Sequence, residues 1–288
     1  MNPLNWLSRL AIATMLAAAL GSSGAQEASV LARGKYLMEG VVGCGNCHMQ
    51  RGEQGQPLLD KGLSGGMLFD EPEFKARAAN ITPDANTGIG RWSDAQLALA
   101  IREGVRPDKT RIGGPMPIAF YRHISDADLA AIVAYLRAQP AVENLVPKST
   151  YRTPPTSHGP SVRNVVAPAA SHQTQYGEYL ANIGHCMECH TPVDEQGVIQ
   201  RSRLGAGGQV FNGPWGASVS RNLTPHASGL KDWSNGEIAH AVREGVARDG
   251  RPLMPPMGFA YYRTINDADM DALIAYLRSL KPQPLGGS

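Results

Sequence analysis

At 288 residues the chain is long enough for two ordinary domains, each with its own core. Its composition, 42% hydrophobic and 18% charged, is that of a globular protein and excludes disorder over the whole length. A formal net charge of +2 is too balanced to argue for nucleic acid or an anionic membrane surface as a partner.

The N-terminus reads as a signal peptide over residues 1–25. Arg9 supplies a basic n-region, Leu10 to Leu20 a short apolar run, and Ser23-Gly24-Ala25 the small residues of a cleavage site. That run is shorter than the roughly 20 apolar residues a bilayer span needs. Cleavage after Ala25 and export to the periplasm are therefore expected. No later segment has the apolar length of a membrane span, so no transmembrane anchor is expected after cleavage.

A helix is predicted through Tyr36 and Leu37, just before the first of two cysteine pairs. The four cysteines are Cys44, Cys47, Cys186 and Cys189, and each pair is followed at once by a histidine, His48 or His190. In an exported chain a disulfide is the first reading. Zinc binding and a thioredoxin-like redox pair are others. None of these requires a histidine at the same place twice. Cys44-Gly45-Asn46-Cys47-His48 and Cys186-Met187-Glu188-Cys189-His190 both read C-x-x-C-H, the attachment signature of c-type haem. Two thiols form thioethers with the porphyrin and the adjacent histidine supplies the proximal iron ligand, so the spacing is fixed by one cofactor. Two covalent haems are expected.

Glycine-rich loops follow. Ser93 then caps a helix carrying Leu97, Leu99 and Ile101 that ends at Gly104. Ser125 caps another, with Asp128 at N3 in the manner of a capping box and Leu129, Ile132, Val133 and Leu136 at helical spacing. Strand signals are absent. Pro140 and the five prolines from Pro147 to Pro168 make residues 141–172 an extended linker. The whole pattern then repeats. Residues 102–138 align without a gap on 243–279, with 19 of 37 positions identical, and Asn80-Ile81-Thr82-Pro83 matches Asn222-Leu223-Thr224-Pro225. Asn266 opens the helix matching that of Ser125, and Tyr179 and Leu180 lie in the helix before the second cysteine pair. The expected organisation is a first domain over 26–140, the linker, and a second domain over 173–288.

Each unit resembles a class I cytochrome c domain: helix, C-x-x-C-H, glycine-rich loop, Met-bearing loop, C-terminal helix. The segments from Asn80 to Asp94 and from Met116 to Arg122 are similar to the cytochrome subunits of bacterial alcohol, gluconate and aldehyde dehydrogenases. The resemblance implies an all-α fold of two tandem class I cytochrome c domains joined by a Pro-rich linker. It also implies a distal methionine in the loop before the last helix. Met116 falls on Met257 in the repeat, 68 residues after His48 and 67 after His190, each preceded by a proline. Met254 aligns with Gly113 and has no counterpart. The iron ligands are thus expected to be His48 with Met116 and His190 with Met257. His123, His185 and His226 are expected at surface or packing positions. Trp92/Trp233, Asn80/Asn222, Tyr121/Tyr262 and Arg122/Arg263 recur, and by resemblance some wall the haem or bond its propionates; core packing and solvated arginines are the competing reading.

Three functions compete for two such domains. An electron carrier would accept electrons from a periplasmic dehydrogenase and pass them to a cytochrome or terminal oxidase. A dihaem cytochrome c peroxidase needs an open iron, and so does a small-molecule sensor. Matched methionine ligands close the iron and favour the carrier, with no catalytic residue of its own.

Overall fold

The structure is a computed structural model and describes residues 25–53, 56–213 and 215–286. The signal-peptide reading lies, apart from Ala25, outside the described residues.

The first repeat contains α1 (residues 25–38), the short α2 (Gly45–His48), α3 (Asp94–Glu103), α4 (Ile118–Tyr121) and α5 (Asp126–Arg137). The second contains α6 (Gln173–Ile183), α7 (Cys186–Cys189), α8 (Asn235–Glu244), α9 (Phe259–Tyr262) and α10 (Asp267–Ser279). The predicted caps form. Ser93 and Gln96 close a full capping box on α3, as Ser234 and Glu237 do on α8. Each of these helices ends on a left-handed glycine, Gly104 at φ 64° and Gly245 at φ 65°.

At α5 the box stays open. The Ser125 hydroxyl accepts from the Asp128 N–H at 3.1 Å, but the Asp128 carboxylate, one methylene shorter than glutamate, does not reach back. It accepts two bonds from Arg33 at 2.8 Å and one from the Tyr179 hydroxyl at 2.6 Å. The Ser125 N–H donates instead to the same Tyr179 hydroxyl, at 3.2 Å. The mirror arrangement stands at α10. Tyr36 donates to Asp269 at 2.7 Å and accepts from the Asn266 N–H at 3.3 Å. The N-terminal helix of each repeat therefore completes the cap of the other repeat's C-terminal helix.

Within each repeat the N-terminal and C-terminal helices cross at a glycine. A Cβ on Gly34 would lie 2.0 Å from the Ala131 carbonyl oxygen, and one on Gly177 would lie 1.8 Å from that of Ala272. Only glycine permits this approach. One continuous apolar core runs through both repeats, with Leu37, Ile132, Leu180 and Ile274 among its fully buried side chains.

The all-α expectation is corrected in one respect: the fold is mostly helical but holds two small antiparallel sheets. In the first repeat β1 (Leu68–Glu71) pairs with β2 (Phe74–Arg77), Leu68 opposite Arg77, and β3 (Thr150–Tyr151) adds to the outer edge of β2. In the second repeat β4 (Val210–Gly213) pairs with β5 (Gly216–Val219) in the equivalent register, Val210 opposite Val219. Hairpin strands of four residues with polar and glycine-rich turns are too short to display a two-residue alternation.

Residues 141–172, read as a linker, run extended but bonded. The Asn80 side chain donates to the Val142 carbonyl at 2.8 Å, and Asn144 donates to Ser64 O at 2.8 Å. Further on, the Val162 N–H donates to Glu103 at 2.7 Å, and the Asp126 N–H to Val165 O at 2.8 Å. Among the described residues no helix is long and apolar enough to cross a membrane.

Candidate haem centres

Cys44 directly precedes the single-turn helix α2, which holds Cys47, while Cys186 and Cys189 begin and end the single-turn helix α7. All four thiols are free. Burial pushes Cys44 and Cys189 up to about 12, and Cys47 and Cys186 up to about 11. At these values the thiols are neutral at physiological pH. No cluster of three or more His, Cys, Asp or Glu side chains among the described residues is arranged to hold a metal ion.

The two histidines are oriented identically. The His48 Nδ1 lies 2.8 Å from the Ala79 carbonyl oxygen, and the His190 Nδ1 lies 2.7 Å from that of Arg221. A carbonyl only accepts, so each Nδ1 carries the proton and Nε2 is left with its lone pair. Burial pushes both histidines below their usual value, which keeps the rings neutral. A bond of this kind fixes the tautomer and the ring plane of a metal-binding imidazole.

Each histidine faces a cavity. The first encloses about 500 Å³ and is lined by Cys44, Cys47, His48 and, from the loop before α4, Met116. The second encloses about 900 Å³ and is lined by Cys186, Cys189, His190 and Met257. Met254 lines the second cavity as well, though it is 45% exposed. Both volumes lie in the range of cofactor sites. Apolar walls recur in register: Trp92, Leu97 and Tyr121 in the first, Trp233, Ile238 and Tyr262 in the second. Thiol pair, oriented imidazole, thioether and apolar walls together fit a haem whose vinyl groups, iron and ring these groups would hold.

The recurring polar residues divide. The tryptophans and tyrosines wall the cavities. The Asn80 carboxamide oxygen accepts from the Thr82 N–H at 3.0 Å and hydroxyl at 2.7 Å, and so braces a turn; Asn222 does the same for Thr224. Arg122 pairs with Glu103 and Arg263 with Glu244, both at 2.9 Å. Asn80 and Asn222 also line the first and second cavities, whereas Arg122 and Arg263 are held in these ion pairs outside the cavity linings. Arg106 and Arg111 line the first cavity, and Arg248 and Arg251 the second, guanidinium groups of the type that takes carboxylates.

Sequence reasoning does not reveal that the cavities adjoin. Asn46, His185, Gly258 and Tyr262 line both. His185 holds a left-handed backbone, φ 43°, where the first repeat has Gly43. Its ring pairs with Glu188 at 3.2 Å and meets Tyr121 of the first repeat edge-on at 6.1 Å between centroids. It is a packing residue of the seam. The one signal in the sequence is a histidine at a position that is glycine in the sister motif.

Two cavities of this form, one per repeat, define a tandem c-type haem protein. The chain belongs to the cytochrome c family, whose profile matches residues 31–140 and 174–281. It is 31% identical, over 82% of its length and 81% of the relative's, to a diheme cytochrome c-type protein of Cereibacter sphaeroides. It is also 31% identical to one of the subunits of the nicotinate dehydrogenase of Pseudomonas putida, over 91% of this chain but 22% of that protein. It is 29% identical to the cytochrome c subunit of the quinone alcohol dehydrogenase of Gluconobacter oxydans, over 94% of this chain and 59% of that relative. The chain thus spans about a fifth of one relative and about three fifths of another.

Proposed function

We propose that the chain is a periplasmic dihaem cytochrome, exported by residues 1–25, that takes electrons singly from a dehydrogenase and delivers them to a cytochrome or terminal oxidase. The supporting observation is the matched pair of cavities, each with C-x-x-C-H on one wall and a methionine loop on another. Cys44 and Cys47 anchor one haem and Cys186 and Cys189 the other. His48 with Met116, and His190 with Met257, hold the irons. Haem supplies a reversible one-electron iron couple. The protein orients each imidazole through Ala79 or Arg221 and excludes water with the tryptophan and tyrosine walls. With a histidine and a methionine both holding it, each iron would have no position open to a substrate. The relatives named as parts of nicotinate and alcohol dehydrogenases support a dehydrogenase as donor.

The test is spectroscopic. The purified full-length product should carry two covalent haems, low-spin in oxidised and reduced forms, and should bind neither carbon monoxide nor cyanide at modest concentration. A high-spin haem with peroxide-dependent oxidation of a reduced donor at catalytic rates would replace the carrier with the peroxidase. Recovery of a dehydrogenase bound to the native periplasmic protein checks the donor; recovery only with unrelated proteins would refute it.

A further inference from the structure

Each methionine loop is bonded through its backbone at its two ends. In the first repeat the Ile112 N–H donates to Gly104 O at 2.8 Å, just after α3, and Met116 O accepts from the Ile118 N–H at 2.8 Å, at the start of α4. The second repeat makes the same two bonds, from the Leu253 N–H to Gly245 O at 2.6 Å and from the Phe259 N–H to Met257 O at 3.1 Å. Between these ends, residues 113–115 and 254–256 make no backbone–backbone hydrogen bond among the described residues.

One carbonyl in the middle of each loop is held from outside it, two residues before the methionine. In the first repeat the Tyr151 hydroxyl donates to Gly114 O at 3.2 Å. In the second the Ser218 hydroxyl donates to Pro255 O at 2.6 Å. Gly114 and Pro255 are equivalent in the duplication, as Met116 and Met257 are. The donors are not. Ser218 stands on β5 opposite Phe211, where β2 has Ala76 opposite Phe69, and alanine has no hydroxyl. Tyr151 comes instead from β3, opposite Phe74. The same contact is thus made twice by residues that do not correspond, and sheet pairing fixes the donor each time. The Tyr151 ring also lies tilted on Phe74, with centroids 6.0 Å apart. A Cβ on Gly113 would lie 2.6 Å from that ring, so the loop passes it as glycine. Tyr151 lines the same cavity as Met116, and Ser218 the same cavity as Met257.

We infer that Tyr151 and Ser218 are positioning residues for the two distal ligands, each holding the carbonyl two residues before its methionine so that the sulfur stays on its iron. The inference rests on the ligation by Met116 and Met257 proposed above. Neither hydroxyl bonds the methionine itself; each acts through the backbone of the loop. A loop that swings away from the haem gives up this bond, so the bond favours the ligated arrangement alone. Losing one hydrogen bond of ordinary net strength shifts the balance toward the detached loop by about threefold to tenfold.

The probe is cyanide, titrated to high concentration at fixed pH into the oxidised full-length protein carrying both haems. Cyanide competes with the methionine for iron, so its apparent affinity rises with the fraction of loop detached. The readout is the hyperfine-shifted NMR signal of each bound methionine methyl, assigned with Met116→Ala and Met257→Ala. Tyr151→Phe keeps the ring and removes the hydroxyl. It should make the Met116 signal vanish at about threefold to tenfold lower cyanide and leave the Met257 titration unmoved. Ser218→Ala should do the reverse. Adding Ala76→Ser to Tyr151→Phe supplies a hydroxyl from the position that Ser218 uses, and should return the Met116 titration to its original midpoint. An unmoved titration in Tyr151→Phe or in Ser218→Ala overturns the inference. Equal movement of both signals in one of these variants also overturns it, since that is general loosening of the protein. A protein without bound-methionine signals would refute the ligation, and the inference with it; failure of the inference alone leaves both signals present and their midpoints unmoved.

Discussion

Tyr179→Phe isolates the crossed cap between the repeats. The side chain is 6% exposed and phenylalanine keeps its ring, so the packing contribution is unchanged and only the hydroxyl is lost. That hydroxyl donates to Asp128 at 2.6 Å, a bond to a charged acceptor contributing about 1.5–3 kcal/mol. It also accepts from the Ser125 N–H at 3.2 Å, and a buried donor left without a partner costs about 1–3 kcal/mol. Asp128 keeps both bonds from Arg33, so its charge is not stranded. The two losses share one atom and do not add fully, and a destabilisation of about 3 kcal/mol is expected. Urea denaturation of the haem-loaded protein, followed by far-ultraviolet circular dichroism, measures it. A single transition is expected because the core is continuous across the repeats. A Tyr179→Phe/Asp128→Asn double-mutant cycle should return a coupling of at least about 1 kcal/mol. Coupling below about 0.5 kcal/mol, the usual scatter of independent sites, would refute the crossed cap as a source of stability.

Other outcomes follow from the same geometry. Cys44→Ala together with Cys47→Ala should leave a single haem, held by Cys186 and Cys189, on denaturing gels stained for haem. Met116→Ala and Met257→Ala should each remove one share of the near-infrared sulfur-to-iron absorption and lower the potential of that haem; if Met254→Ala does this and Met257→Ala does not, the second ligand is wrongly assigned. Gly34→Ala and Gly177→Ala place a methyl against a backbone carbonyl that has no rotamer to adopt, and each should destabilise by about 3 kcal/mol or more in the same denaturation assay. An unchanged midpoint for either would show that the helix crossing opens freely.

Local signals account for what was legible in the sequence. The capping residues Ser93, Ser125 and Asn266 state helix starts in a few neighbouring side chains, and the C-x-x-C-H motif states a cofactor in five residues. The duplication adds a comparison, since Met257 has a counterpart in Met116 and Met254 has none, though both line the second cavity. The partners of these residues were illegible wherever they lie far along the chain. Asp128 reads as half of a capping box, and only the fold brings Tyr179 to complete it. The carbonyls of Ala79 and Arg221 carry no side-chain signature at all. Thr150 and Tyr151 sit in a proline-rich stretch whose composition says linker, and they become a strand only because β2 offers an edge.

The crossed caps have the form of a two-fold contact: a tyrosine of the first unit meets an aspartate of the second, and the matching tyrosine of the second meets the matching aspartate of the first. An isologous dimer makes contacts of this kind, and one undivided unit already carries both halves. The arrangement thus has the geometry of a homodimer whose two copies have become covalently joined. Fusion releases each half from identity with the other while the contact between them is kept. His185 in place of Gly43, and a loop carbonyl held by Tyr151 in one unit and by Ser218 in the other, are differences that a symmetric pair of identical chains has no means to acquire.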